Sequence, residues 1–274
     1  MTDPILDVRN LSIALPSDDG WRTIVSSISL TIGHEIVALV GESGSGKSMT
    51  GRALMGLLPR HARVTADSLA CEGEDLLTLS ERDWTKKRGN TLGLMPQDPK
   101  TSLNPGHKIG IQVEEALLLH TKLRKTERRK AAIDMLARVG LTDADRIYQS
   151  YPGQLSGGMA QRAMMAAMLV NRPRLLITDE PTSALDRDVQ AQILALLGEL
   201  TRDFGMGLLL ISHDLVQVSR FADRVLVMRQ GRIEEELAAS DLDKARSPYT
   251  RSLWAARPSA ATYGERLPTG EEAR

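Results

Sequence analysis

The stretch EIVALVGESGSGKSMTGRALMGLLP, Glu35–Pro59, decides the fold class of this chain. Its opening run, IVALV, is continuously apolar, the pattern of a strand buried on both faces of a parallel sheet. GESGSGKS, Gly41–Ser48, follows without a spacer, and MTGRALMGLLP then has the apolar spacing of a helix that stops at Pro59. The loop matches G-x-x-x-x-G-K-[ST] in full, between a strand and a helix, which is the context its chemistry requires. Glycine lets backbone N–H groups turn inward onto phosphate oxygens, and the helix adds the positive end of its dipole. The expected ligand is a nucleoside triphosphate held along Gly41, Glu42, Ser43, Gly44, Ser45, Gly46, Lys47, Ser48 and Met49. Lys47 reaches its β/γ-phosphates and the Ser48 hydroxyl ligates Mg2+.

Other apolar runs end in residues of matching chemistry. In RLLITDEP a strand carries Asp179 to its carboxyl end, where α/β proteins bind ligands. Asp179 would hold Mg2+ through water, since Mg2+ sheds its waters reluctantly. Glu180 beside it is the candidate base that polarises the attacking water. Gln97 follows the strand in LGLMPQ and can offer its carbonyl to Mg2+ and its amide to water. His213 closes GLLLISHD, positioned for a γ-phosphate or the attacking water. Taken singly, two acids past a strand read as a solvated strand end, and a Gln or His there as ordinary surface. Their shared position, at carboxyl ends of expected parallel strands, joins them to Lys47 in one reaction: Mg2+-dependent hydrolysis of a nucleoside triphosphate.

Around this core the chain changes texture twice. ILDVRNLSIAL and SSISLTIG alternate apolar and polar residues, as half-buried strands do. Over residues 99–158, IGIQVEEALLLH, KTERRKAAIDMLARVG and DADRIYQSY have helical periodicity and charged faces, predicting a helical subdomain. DVQAQILALLGELTRDFG then reads as a long helix, and FADRVLVMRQGRIEEE as a hairpin turning at Gln230–Gly231. Strands alternating with helices imply an α/β fold with a parallel sheet. The core is expected over residues 1–98 and 159–238, with a C-terminal extension and loose tail over 239–274.

Composition narrows the class. Lys plus Arg and Asp plus Glu number 35 each, so the formal charge is zero and nothing supports nucleic-acid binding. The single cysteine, Cys71, can build neither an internal disulfide nor a cysteine-rich metal site. Apolar runs such as AMMAAMLV fall far short of the ~20 residues of a spanning helix, and no leader pattern is present. A chain made in the cytosol is expected.

A second glycine pair lies in LSGGMAQR, Leu155–Arg162. Ser156 is a natural N-cap for the helix in MAQRAMMAAMLV, and a helix N-terminus beside Gly157 and Gly158 is again an anion site. The bland alternative is a capping turn. GESGSGKS, MPQDP, LSGGMAQR, LLITDEP, SALD and ISHD, in that order, resemble the nucleotide-binding subunit of an ABC transporter over roughly residues 5–255. The resemblance implies a P-loop ABC cassette: a RecA-like parallel-sheet core with an antiparallel β subdomain, plus an α-helical subdomain. It also implies ATP and Mg2+ as ligands, with Ser48, Gln97 and Asp179 on the metal. In that family two cassettes pack head to tail, so Leu155, Ser156, Gly157, Gly158, Met159 and Gln161 would cap the partner's ATP. Ser183, Ala184, Leu185 and Asp186 would form the dimer-facing D-loop.

GESGSGKS, QDPKTSLNP and SPYTRSL are further similar to the branch that imports oligopeptides, dipeptides and nickel. That branch implies two transmembrane permease subunits, a second ATPase of a different chain and an extracytoplasmic substrate-binding protein. The chain would then sit peripherally on the cytoplasmic face of the membrane and drive uptake of peptides, nickel or a metal chelate. One departure concerns the base. Leu15 stands where the family usually stacks an aromatic residue on adenine, so either Leu15 and Val25 pack against the base or Trp21 substitutes. A soluble ABC ATPase of repair or translation is the alternative, set back by the short helical insertion, the single cassette and the neutral charge. A GTPase should show an Asn-Lys-x-Asp base reader, which is absent from the sequence.

Overall fold

A computed structural model describes residues 3–182 and 186–256. The chain divides into two compact units, Leu79–Met206 and the flanking segments Met1–Thr78 with Gly207–Arg274.

The flanking unit begins with a long antiparallel hairpin, β1 (Leu6–Ser17) and β2 (Gly20–Ile32). Alternation places Leu6 and Val8, and after a register shift at Asn10 (φ 54) Leu11 and Ile13, in the core while their neighbours face outward. β3 (Ile36–Val40) is buried at every residue, as its unbroken apolar run dictates. Leu39 is fully buried there, so its truncation to alanine would cost about 2–5 kcal/mol. α1 (Lys47–Leu54) is shorter than the sequence pattern suggests. Gly56 turns left-handed at φ 61, and the Leu57 N–H bonds back to the Arg52 carbonyl, which ends the helix before Pro59. Short strands β4 (Arg63–Thr65), β5 (Ser68–Cys71) and β6 (Glu74–Asp75) complete an antiparallel sheet with β1 and β2.

The central unit starts with α2 (Glu81–Lys87) and the buried strand β7 (Leu92–Met95). Four helices follow: α3 (Pro99–Ser102), α4 (Ile109–His120), α5 (Lys125–Arg138) and α6 (Ala144–Gln149). α7 (Gly157–Leu169) leads to β8 (Leu175–Asp179), which lies parallel to β7, and α8 (Arg187–Asp203) closes the unit.

The chain returns to the flanking unit with β9 (Gly207–Ser212), α9 (Leu215–Phe221), β10 (Arg224–Arg229) and β11 (Arg232–Ala238). There β11, β10, β3 and β9 lie in that order, with β10, β3 and β9 mutually parallel and β11 antiparallel to β10. Gln230 and Gly231, both at positive φ, make the two-residue turn of the β10–β11 hairpin. A 3-10 turn over Ala239–Lys244 and α10 (Pro248–Ala255) end the described chain. The polar tail expected beyond them lies outside the described residues.

Candidate nucleotide site

The residues expected to handle the nucleotide occur in both units, Gly41–Met49 and His213 in the flanking one and Gln97, Asp179 and Glu180 in the central one. In the flanking unit Val40 pairs with Ser212, so the phosphate loop and His213 leave adjacent parallel strands at the same end. The loop is shaped by close approach. A Cβ on Gly41, at φ +150, would lie 2.0 Å from the Met228 carbonyl oxygen, and one on Gly46, at φ +109, 2.8 Å from Met228 Cε. Only glycine fits either place. Gly44, at φ +79, turns the loop in open space.

Lys47 is buried, and its Nζ donates to the carbonyl oxygens of Gly41 and Glu42, both at 2.8 Å. The ammonium therefore sits inside the curl of the loop, at the root of the helix. Ser48 is exposed, Met49 is half-buried and Ser45 is buried. Thr50, beyond the motif, donates its hydroxyl to the Gly46 carbonyl at 3.1 Å and stiffens the first turn. Two further residues hold the loop from the C-terminal part of the chain. Gly231 N–H donates to the Ser45 carbonyl at 2.9 Å, and Glu42 N–H donates to the Tyr249 hydroxyl at 3.4 Å.

Val25 is fully buried, with its Cγ2 close to Gly46, whereas Leu15 is half-buried opposite Arg22. Trp21 is 44% exposed and lies under the Arg63 guanidinium, 3.6 Å from the ring centre. Exposed His213 is followed by Asp214, whose carboxylate caps α9 by accepting N–H bonds from Val216 and Gln217.

In the central unit Met95 pairs with Thr178, so Gln97 and the Asp179–Glu180 pair emerge from neighbouring strand ends. Both acids are half-buried and Gln97 is exposed. Glu180 adopts φ 47, a left-handed backbone that costs a non-glycine residue about 1–3 kcal/mol and that clusters at functional sites. It turns the chain sharply as the strand ends.

The LSGG segment forms as its residues require. Ser156 Oγ accepts the Met159 N–H at 3.3 Å, capping α7, and Ser156 and Gly157 are exposed. Gly158 faces α8 closely enough that a Cβ would lie 3.3 Å from Val189 Cγ1. Leu155 and Met159 are half-buried, and Gln161 turns inward to donate to the Pro181 carbonyl. Asp186 caps α8 through the Val189 N–H at 3.0 Å. The other D-loop residues, Ser183, Ala184 and Leu185, lie outside the described residues.

The glycine-lined cradle with a buried lysine at its root suits a polyphosphate, and comparison with known proteins agrees. The model of the ABC transporter family matches residues 25–183, more than half of the chain. The chain belongs to the ABC transporter family. ABC cassettes bind ATP and hydrolyse it, and so does this chain. It is 43% identical to the dipeptide transport ATP-binding protein DppD of Escherichia coli, over 96% of this chain and 81% of that protein. It is 45% identical to the peptidoglycan transport ATP-binding protein YejF of Agrobacterium fabrum over 94% of this chain, but spans only 48% of that relative. Among solved structures, the ABC cassette MJ0796 bound to ADP and Pi superposes with a TM-score of 0.76 at 26% identity, covering 85% of this chain and 98% of that one. Among the described residues of this ABC ATPase, no helix is long and apolar enough to cross a membrane.

Tyr249 and Gly231 escaped the sequence reading as site residues. Gly231 was legible as a hairpin turn, and SPYT only as a family-like tail. Nothing in their spacing announces contact with a loop so far back in the chain, which for Tyr249 and Glu42 is a separation of 207 residues.

Proposed function

We propose that this chain is the ATP-hydrolysing subunit of an importer of peptides, working through separate permease subunits. The observation that carries the reading is the likeness to relatives named for dipeptide and peptide import, at 42–43% identity over nearly the whole chain. Its partners are then two membrane-embedded permeases, a second ABC ATPase of a different chain and an extracytoplasmic binding protein. The chain sits on the cytoplasmic face of the membrane. Residues 1–98 and 159–238 act as the ATP-binding core, 99–158 as the helical subdomain and 239–274 as an extension.

In this reading Gly41–Met49 wrap the triphosphate with backbone N–H groups, and Lys47 moves its ammonium from the loop carbonyls to the β/γ-phosphates. Leu15 gives the adenine an apolar wall, whereas Val25, expected to share it, is fully buried against Gly46 and backs the loop instead. Ser48, Gln97 and Asp179 offer hydroxyl, amide and carboxylate oxygens, a hard donor set that suits Mg2+ with waters completing its shell. Bound there, Mg2+ would supply charge neutralisation at the β/γ-phosphates. Glu180 accepts the proton of the attacking water, and His213 and Gln97 orient that water and the γ-phosphate. Ser156, Gly157 and Gly158 present the α7 N-terminus to ATP held by the second cassette, with Leu155, Met159 and Gln161 shaping that end of the helix. Ser183–Asp186 line the contact between cassettes.

The test is purification of the tagged chain from native membranes in gentle detergent, with mass spectrometry of everything retained. Two polytopic proteins and a second ATPase support the importer reading, and peptide bound by the accompanying binding protein supports the cargo. A binding protein loaded with nickel or a metal chelate overturns the peptide assignment alone. Recovery with ribosomes or nucleic acid, and no membrane protein, sinks the transport reading.

A further inference from the structure

One peptide group at the mouth of the phosphate loop is held from both ends. The carbonyl oxygen of Gly41 accepts from Lys47 Nζ at 2.8 Å, and the N–H of Glu42, the other half of the same planar unit, donates to the Tyr249 hydroxyl at 3.4 Å. Because the unit is rigid, the carbonyl cannot swing without moving the N–H. Whatever fixes the N–H therefore fixes the direction of the carbonyl that seats the lysine.

Tyr249 is well placed to do this. It is 3% exposed, on α10, beyond the last strand of the fold. The Arg229 guanidinium lies over its ring at 4.6 Å, and Arg229 adjoins Met228, whose carbonyl abuts Gly41. The start of α10 is itself anchored. The Glu235 carboxylate on β11 accepts the backbone N–H groups of Arg246 at 2.7 Å and Ser247 at 3.2 Å, and Ser247 Oγ donates to Glu234 at 3.1 Å. A continuous route of hydrogen bonds and packing thus runs from the end of the core sheet through α10 to the loop. With Gly231 on the Ser45 carbonyl, the loop is braced at both its second and its fifth residue.

We propose that Tyr249 is a positioning residue for the nucleotide site, and that the C-terminal segment Glu235–Ala255 braces the phosphate loop for ATP. The proposal rests on Gly41–Ser48 being the ATP site. Tyr249 touches no phosphate in this role. Its hydroxyl holds the Gly41–Glu42 peptide in place when Lys47 exchanges those carbonyls for the nucleotide, so the loop does not collapse behind the departing ammonium. An ordinary core tyrosine would contribute to folding and leave ATP affinity alone.

Tyr249→Phe in the full chain separates the two roles, since it keeps the ring and removes only the hydroxyl. The readouts are equilibrium dialysis with radiolabelled ATP and Mg2+, thermal melting without nucleotide, and hydrogen exchange of the peptide that contains Glu42. The expected result is a roughly three- to ten-fold weaker affinity, the scale of one hydrogen bond. It is accompanied by faster exchange at the loop and a melting point lowered by no more than about 4 °C. Unchanged affinity with unchanged exchange overturns the proposal, as does a loss of affinity that merely tracks a larger fall in melting point. Lys47→Ala runs alongside. If it also binds ATP normally, the reading of the loop itself fails; if it loses ATP while Tyr249→Phe does not, only the brace is lost.

Discussion

The Lys47 ammonium and the Gly41 carbonyl meet at 2.8 Å, joining the seventh residue of the phosphate loop to its first. The bond closes the loop into a ring around the helix N-terminus and keeps the lysine charge buried but partnered. A buried ammonium without such partners would be strongly unfavourable. With them, the charge stands ready for an anion at the helix N-terminus, where the dipole already favours one.

Lys47→Ala removes both the closing bond and the charge. Equilibrium binding of ATP should weaken by at least about tenfold, equivalent to ~1.4 kcal/mol, with the fold retained by circular dichroism. Near-normal binding would count against Lys47 as a phosphate ligand.

Glu180→Gln keeps the size of the side chain and removes its basicity. Turnover should fall by about 10²–10⁴-fold while ATP binding persists, and ATP should then trap a dimer of cassettes. Steady-state phosphate release and size-exclusion chromatography with ATP report both. Hydrolysis at a normal rate excludes Glu180 as the general base.

Trp21→Ala tests the adenine platform. The ring is already occupied by Arg63 at 3.6 Å and stands on the exposed end of β2, whereas Val25 on the same strand abuts Gly46. ATP affinity should change by less than about threefold, since the stack it loses is with Arg63 and not with the base. A much larger loss in the same dialysis assay would make Trp21 the platform.

Glu235 links the C-terminal brace to pH. Burial opposes its ionisation, but the neighbouring Thr250 hydroxyl and the N–H groups of Arg246 and Ser247 outweigh it and hold the carboxyl below its ordinary 4.5. The Thr250 hydroxyl lies outside hydrogen-bonding geometry, so the two N–H bonds are the main geometric support. A depressed carboxylate stabilises the fold above its unfolded pKa, and that contribution is lost as pH falls through the lower folded value. Glu235→Gln should therefore melt below the unaltered chain at pH 7, and the gap should close below about pH 4.5. A gap that is constant with pH would assign the effect to shape alone.

Strand order and helix spacing along the chain were largely legible because each rests on local pattern. The all-apolar β3, the apolar run that opens β8, the alternation of β1, and the Ser156 cap on α7 are written in neighbouring residues, and so are the Gly-rich loop and the acid pair at the end of β8. β4, β5 and β6 are too short to stand out: β4 and β5 form against the edge of β1, and β6 forms against β5. The end of α1 at Leu54 was hidden because Gly56 competes with an otherwise helical pattern.

By itself the sequence determined the chemistry: a triphosphate cradle, an acid pair at a strand end, a second capped helix with glycines, and the family that uses them in that order. The tertiary structure alone decided what holds the cradle open. Gly41 must be glycine because Met228 arrives from a strand far along the chain, Lys47 is seated by carbonyls that the loop's curl aims inward, and Tyr249 reaches Glu42 from beyond the last strand. Pattern follows residues a few places apart, but a hydrogen bond or a steric limit depends on where the folded backbone brings distant atoms together.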